Sequence, residues 1–253
     1  MTPAVRLAGV TQRFGERTVL DGIDLRIEAG QTIALLGPSG TGKTTLLRIL
    51  AGSLVPTRGT VEVLGAEFAK LSPRALRRHR RRIGLLYQND ALVPGLRVVH
   101  NVLIGRLGAW SLGKSLWSLL FPRELDRVAR ALAEVDLADR IYAPVEALSG
   151  GQRQRVAIAR LLVQDAELIL ADEPATHLDP RLAAEVVELV VRTARTHGRT
   201  AIVSLHDMDL IGAKFDRVLA MKHGKWFLDG PPSAVTPKVV AELFDRKDTA
   251  AAS

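Results

Sequence analysis

The 253-residue sequence predicts an α/β fold: a core of buried parallel strands with helices, a small antiparallel sheet, and an inserted helix-rich lobe. Three observations carry that expectation. The short unbroken apolar runs Thr32–Leu36 and Leu168–Ala171 read as central strands covered on both faces. Ala4–Leu7, Ile23–Ile27 and Gly59–Leu64 instead alternate, as half-exposed strands do. From about residue 89 to 160 helical periodicity takes over, and Arg123–Val135 sets Leu125, Val128, Ala129 and Leu132 on one face.

Thr32–Leu36 runs into Gly37-Pro38-Ser39-Gly40-Thr41-Gly42-Lys43-Thr44-Thr45. Lys43–Ala51 then has helical spacing, with Gly52 placed to end it. Strand, glycine-rich turn and helix start together form the context of a P-loop. The glycines let backbone N–H groups close around a β-phosphate, and the helix N-terminus adds partial positive charge. Lys43 would reach the β- and γ-phosphates of ATP, and the Thr44 hydroxyl would ligate Mg²⁺.

Leu168–Ala171 ends on two acids. Asp172, at the strand's carboxyl end, would hold Mg²⁺ through water, and Glu173 would polarise an attacking water. Adjacent acids in that place also serve as caps for a following helix. Leu148-Ser149-Gly150-Gly151-Gln152 opens a helix that runs through Leu162, with Ser149 as its N-cap and the Gly150 and Gly151 amides as a second anion site. One chain needs only one γ-phosphate cradle, so the second is expected to cover a nucleotide held by another copy. The plainer reading is a helix start that binds nothing.

With these motifs in this order, the chain resembles the ATP-binding subunits of ABC transporters over nearly its whole length. The resemblance implies a P-loop (RecA-like) core with an antiparallel β subdomain and an inserted helical subdomain. The core would take about 1–88 and 161–253, and the lobe about 89–160. It makes Gly37–Thr45 the Walker A loop, Leu168–Asp172 the Walker B strand with Glu173 as catalytic base, and Ser149, Gly150, Gly151 and Gln152 the signature motif. It implies three further positions. Gln88 would be the Q-loop glutamine that senses Mg²⁺ and γ-phosphate, His206, after Thr200–Leu205, the switch histidine, and Phe14 the aromatic that stacks on adenine. Taken singly, these are a surface glutamine, a strand-end histidine and a core ring.

One loop departs from the family pattern. Ala175-Thr176-His177-Leu178-Asp179 carries His177 where relatives have a small residue, in a segment that crosses the family's dimer interface. The substitution is either a tolerated surface change or a pH-sensitive element of closure. The stretch Ala91–Gly108, the apolar segment Trp110–Phe121 and Val203–Leu210 look like those of phosphonate importer ATPases. The resemblance therefore implies a homodimer at two ATP sites, separate transmembrane permease subunits, and indirectly a solute-binding protein delivering a phosphonate-like oxyanion. Other ABC transporters are the alternative, and a non-transport ABC ATPase acting on nucleic acid fits less well, because the chain has one P-loop and no long insertion.

Composition agrees with such a subunit. At 47% hydrophobic residues the chain can bury a sizeable core, and with no cysteine it forms neither a disulfide nor a thiolate metal site. Met1–Arg6 lacks the pattern of a signal peptide, and no apolar run approaches the ~20 residues of a spanning helix. The expected location is peripheral, on the cytoplasmic face of the inner membrane. Net charge is +8, and its sharpest concentration is Arg77-Arg78-His79-Arg80-Arg81-Arg82. Such a run suits nucleic acid, an anionic leaflet or simple solvation; no aromatic-studded strand or recognition helix accompanies it.

Towards the C-terminus, Asp179-Pro180 sits in cap and first-turn positions of a helix that His197-Gly198 should end. Val218–Met221 and Lys225–Leu228 should pair as a hairpin across His223-Gly224, and 250–253 should fray.

Overall fold

The computed structural model describes residues 2–87, 92–108, 124–176 and 178–245. In chain order the elements are β1 (Val5–Phe14), β2 (Arg17–Ile27), β3 (Thr32–Leu36), α1 (Lys43–Leu50), β4 (Arg58–Val63), β5 (Ala66–Glu67), α2 (Pro73–Arg80) and β6 (Ile83–Leu86). There follow α3 (Val98–Leu107), α4 (Leu125–Glu134), α5 (Gly150–Gln164), β7 (Leu168–Asp172), α6 (Pro180–Thr196), β8 (Thr200–Leu205), β9 (Arg217–Lys222), β10 (Lys225–Gly230) and α7 (Pro237–Phe244).

Two sheets result. The alternating strands form an antiparallel sheet in the order β2-β1-β4-β5, and the apolar runs form a second in the order β10-β9-β3-β8-β7-β6. In the second sheet β9, β3, β8, β7 and β6 are parallel, and β10 closes one edge antiparallel to β9. Every residue of β3 and β8 is buried, which explains their unbroken apolar character.

Alternate residues of these strands serve two separate cores. Ile33, Leu35, Leu168, Leu170, Ile202 and Leu219 pack with α1 and the antiparallel sheet. Ala34, Leu36, Ile169, Ala171, Val203 and Ala220 face the helical side, with side chains from α3, α4, α5 and α6. The parallel sheet is thus a middle layer. Each Leu or Ile buried in it contributes about 1.5–3 kcal/mol relative to exposure.

Local signals set the element ends. Asp179 caps α6 by accepting from the Leu182 amide at 3.1 Å, with Pro180 in the first turn. His223 and Gly224 both take positive φ, as a two-residue hairpin between β9 and β10 demands. Asn101, fully buried in α3, accepts from the Val93 amide at 2.7 Å and ties residues 92–97 to the lobe.

One helix face differs from the expectation. In α4 the buried stripe is Val128, Ala131 and Leu132, continued by Val135, whereas Leu125 and Ala129 are exposed. Glu124 takes a left-handed conformation and α4 begins at Leu125; the stripe that packs runs through Val128, Ala131, Leu132 and Val135, which leaves Leu125 and Ala129 at its edge. Arg123, the segment Trp110–Phe121 and the terminal 250–253 lie outside the described residues. No helix among the described residues is long and apolar enough to cross a membrane.

Candidate functional site

Parallel register brings the carboxyl ends of β3, β8 and β7 level: Leu36 pairs with Leu205, and Asp172 with Ser204. Open parallel sheets bind ligands at that edge. Gly37–Gly42 leaves β3 there and turns into α1. A Cβ at Gly37 would lie 2.5 Å from the Met221 carbonyl oxygen, and one at Gly42 would lie 2.7 Å from Leu20 Cδ2 and 2.9 Å from the Val19 carbonyl oxygen. Their φ values, 147° and 106°, also favour glycine. The loop is wedged between β9 and β2, and only glycine fits at these two points.

Lys43 crosses beneath this loop. Its Nζ donates to the carbonyls of Gly37 at 2.6 Å and Pro38 at 3.2 Å, and its side chain is 4% exposed. Burial pushes its ammonium below the usual lysine range, opposed by Glu173 and Asp172. Thr41 Oγ1 donates to the Pro38 carbonyl at 2.9 Å. Ser39, Gly40 and Thr44 are exposed, and Thr45 is half-buried.

Glu173 joins three strands' worth of chemistry. Its Oε1 lies 3.7 Å from Lys43 Nζ and 2.6 Å from His206 Nε2, at the end of β8. Its own backbone is left-handed, φ 51°, an uncommon conformation for a residue with a side chain. The Glu173 amide donates to Ser204 Oγ at 2.8 Å, and that hydroxyl donates to Asp172 Oδ1 at 3.0 Å. Ser204 is therefore a positioning residue that sequence reasoning missed. The available signal was a lone serine in the otherwise apolar end of β8.

A cleft of ≈970 Å³ opens beside the loop. Glu16–Val19 of the first hairpin, Pro38–Thr41, His206, the Lys222–Gly224 turn and Leu243–Asp245 line it. Phe14, 51% exposed, stands on that same hairpin. The parts contributed by the β9–β10 turn and by α7 were not foreseen. Gln88 and His177 lie outside the described residues; β6, which leads to Gln88, pairs with β7 through Leu86 and Ala171.

Ser149–Gln152 stands apart. Ser149 Oγ accepts from the Gln152 amide at 3.3 Å while Gln152 Oε1 accepts from the Ser149 amide at 3.0 Å, closing a capping box. Gly150 and Gly151 abut Leu178 and Leu182. None of the four is among the residues lining the cleft at Pro38–Thr41.

The site suits a polyphosphate with a hard cation. The loop offers backbone N–H donors, the Lys43 ammonium and no carboxylate of its own. For Mg²⁺, the Thr44 hydroxyl and Asp172 carboxylate supply oxygen ligands of the right kind. Among the described residues no three His, Asp or Glu side chains form a protein-only metal cage. Mg²⁺ needs none when phosphate oxygens complete its shell.

Comparison with known proteins agrees with this geometry. The chain is 45% identical over 249 residues to the phosphonates import ATP-binding protein PhnC of Anaeromyxobacter dehalogenans (strain 2CP-C), covering 98% of this chain and 50% of that protein. It thus spans half that relative's length. It is also 45% identical over 225 residues to PhnC of Pseudomonas fluorescens (strain Pf0-1), covering 89% of this chain and 85% of that protein. Among solved structures, it resembles the dimeric post-hydrolysis state of the ATP-binding cassette MJ0796 bound to ADP and Pi, with TM-score 0.72, 29% identity, and coverage of 90% and 98%. Residues 20–176 match the ABC transporter family. With that match across more than half its length, on a P-loop α/β core, the chain belongs to the ABC transporter family and is one of its ATP-hydrolysing cassettes.

Proposed function

We propose that this chain is the ATPase subunit of an importer for phosphonate-class oxyanions, and that two copies close around two ATP molecules. The single observation that carries the dimeric reading is the separation just described. The Pro38–Thr41 loop lines the cleft, and the capped start of α5, a second helix N-terminus suited to an anion, does not. A second copy would supply the missing wall, and the resemblance to a dimeric cassette holding ADP and Pi supports that arrangement.

In this reading Gly37–Thr45 wraps the phosphate chain and Lys43 neutralises its β- and γ-oxygens. Phe14 stacks on the base. Ser149, Gly150, Gly151 and Gln152 of the other copy cover the γ-phosphate. Glu173 takes the proton of the attacking water as the water oxygen bonds to γ-phosphorus and the bond to the ADP oxygen breaks. His206 holds Glu173 and the leaving phosphoryl group in line. Thr44, Asp172 and Gln88 would hold Mg²⁺, which when bound offsets charge on the transferred group. Loss of the γ-phosphate removes the bridge and the copies part.

The cargo assignment follows the names of the relatives. Membrane passage then belongs to permease subunits, fed by a solute-binding protein, with this chain peripheral on the cytoplasmic face of the inner membrane. The same reading divides the chain into a core of about 1–88 and 161–253 and a lobe of about 89–160 that carries the α5 start.

The test is Glu173→Gln with and without Gly151→Asp. The single variant is expected to bind ATP, lose turnover by about 10²–10⁴-fold and run as a dimer in light scattering. Adding Gly151→Asp should keep ATP binding and leave a monomer. A double variant that dimerises as well as the single one refutes the sandwich.

A further inference from the structure

The basic run singled out in the sequence has a geometry that the catalytic reading leaves unused. It occupies α2 and its C-cap, with Ser72 as N-cap accepting from the Ala75 amide at 3.3 Å. One side of the helix is tied down. His79 is buried, with its Nε2 2.8 Å from the Val63 carbonyl and its ring edge-on to Phe68 at 5.7 Å. Leu76 packs at Gly52, Arg80 donates to the Gly52 carbonyl, and Arg82 is held by Glu167 at 2.5 Å and 2.7 Å.

The other side is a stripe of one residue type. Arg74, Arg77, Arg78 and Arg81 follow the i, i+3, i+4, i+7 spacing of a single helix face, and all four are exposed. None forms an ion pair among the described residues. The flanking acids are engaged elsewhere: Glu67 holds Lys70 at 2.7 Å, Glu167 holds Arg82, and Asp165 holds Arg199 at 2.6 Å. Like charges at these spacings work against a helix. A helix tied down on one side that presents four cations over about 10 Å, with no counter-charge among the described residues, is complementary to an anionic surface.

We propose that the Arg74–Arg77–Arg78–Arg81 face of α2 docks on the anionic phospholipid headgroups of the inner leaflet, steadying the ATPase beside its permease. Arginine suits this partner because it stays charged and donates to phosphate oxygens, an attraction to the leaflet's charge that lysine shares. The choice of lipid over nucleic acid rests on the transporter reading above, which seats the chain at a membrane. A duplex would in addition require an element shaped to enter a groove, and α2 is held flat against β4 and Gly52 by His79 and Arg80.

The full chain is tested by co-sedimentation with vesicles of phosphatidylcholine alone or with about one-third phosphatidylglycerol. Binding is expected only to the anionic vesicles. It should be lost on raising salt from about 0.1 to about 1 M, which shortens the screening length from about 10 to about 3 Å. Arg74→Gln, Arg77→Gln, Arg78→Gln and Arg81→Gln combined should cut binding by about tenfold or more, while the four Arg→Lys changes keep most of it. Equal partition of the glutamine variant and the parent, or binding that is indifferent to lipid charge, overturns the proposal. So does a preference for duplex DNA over anionic vesicles at matched phosphate. ATP turnover of both variants, expected to equal the parent's, shows that the fold and the ATPase are intact. A failure of vesicle binding with turnover and ATP-dependent dimerisation preserved would remove this surface alone.

Discussion

His206 Nε2 stands 2.6 Å from Glu173 Oε1, and the same carboxylate oxygen faces the Lys43 ammonium at 3.7 Å. One acid is therefore held between an imidazole just past the end of β8 and a buried cation at the start of α1. Removing either neighbour frees the carboxylate to rotate.

His206→Ala should therefore lower ATP turnover by about 10²–10⁴-fold, in the range of a lost general acid–base partner, while ATP affinity changes little. Steady-state ATPase rates alongside equilibrium binding of a fluorescent ATP analogue check this. A variant with near-parental turnover would show that the contact is incidental.

Ser204→Ala leaves the fold's shape alone but strands two partners, the Glu173 amide and Asp172 Oδ1. An unsatisfied buried polar group costs about 1–3 kcal/mol, so a measurable drop in thermal midpoint is expected. Turnover should fall with it, and Ser204→Thr should recover part of both. Unfolding curves and ATPase rates that match the parent's would deny Ser204 a positioning role.

His79 makes stability pH-dependent on the acid side. Burial lowers its pKa below the usual 6.5, the hydrogen bond to Val63 opposes that, Arg82 adds to the lowering, and Glu167 opposes it. The unfolded chain therefore takes up the proton first as pH falls. Stability from the neutral ring is full above about 6.5 and is lost as pH drops toward the lowered folded value. His79→Gln should flatten the thermal midpoint between about pH 7 and pH 5 relative to the parent. Parallel profiles for the two proteins would assign the acid sensitivity to other groups.

Much of this site was legible because its signals are local. The glycines of Gly37–Gly42, the Ser149 cap with Gln152 three residues on, and Asp179-Pro180 each act on backbone within a turn or two, so a short window of sequence contains their cause. Strand character was readable for the same reason: β3 and β8 are buried on both faces and show no alternation. The face of α4 was misjudged because periodicity alone does not choose between neighbouring stripes of one helix. Leu125, Val128, Ala129 and Leu132 form one stripe and Val128, Ala131, Leu132 and Val135 an overlapping one, and only packing in the lobe selects the second.

By itself the sequence determined the P-loop, the paired acids at the end of β7, the second capped helix start and the order of strands and helices, since each follows from nearest-neighbour backbone chemistry. Only the tertiary structure decided that Lys43, Glu173 and His206 meet at one oxygen, and that Ser204 joins Asp172 to the Glu173 backbone. Those relations depend on the parallel register of β3, β8 and β7. Register is set by how whole layers of side chains pack on the two faces of the sheet, and no local stretch of sequence encodes it.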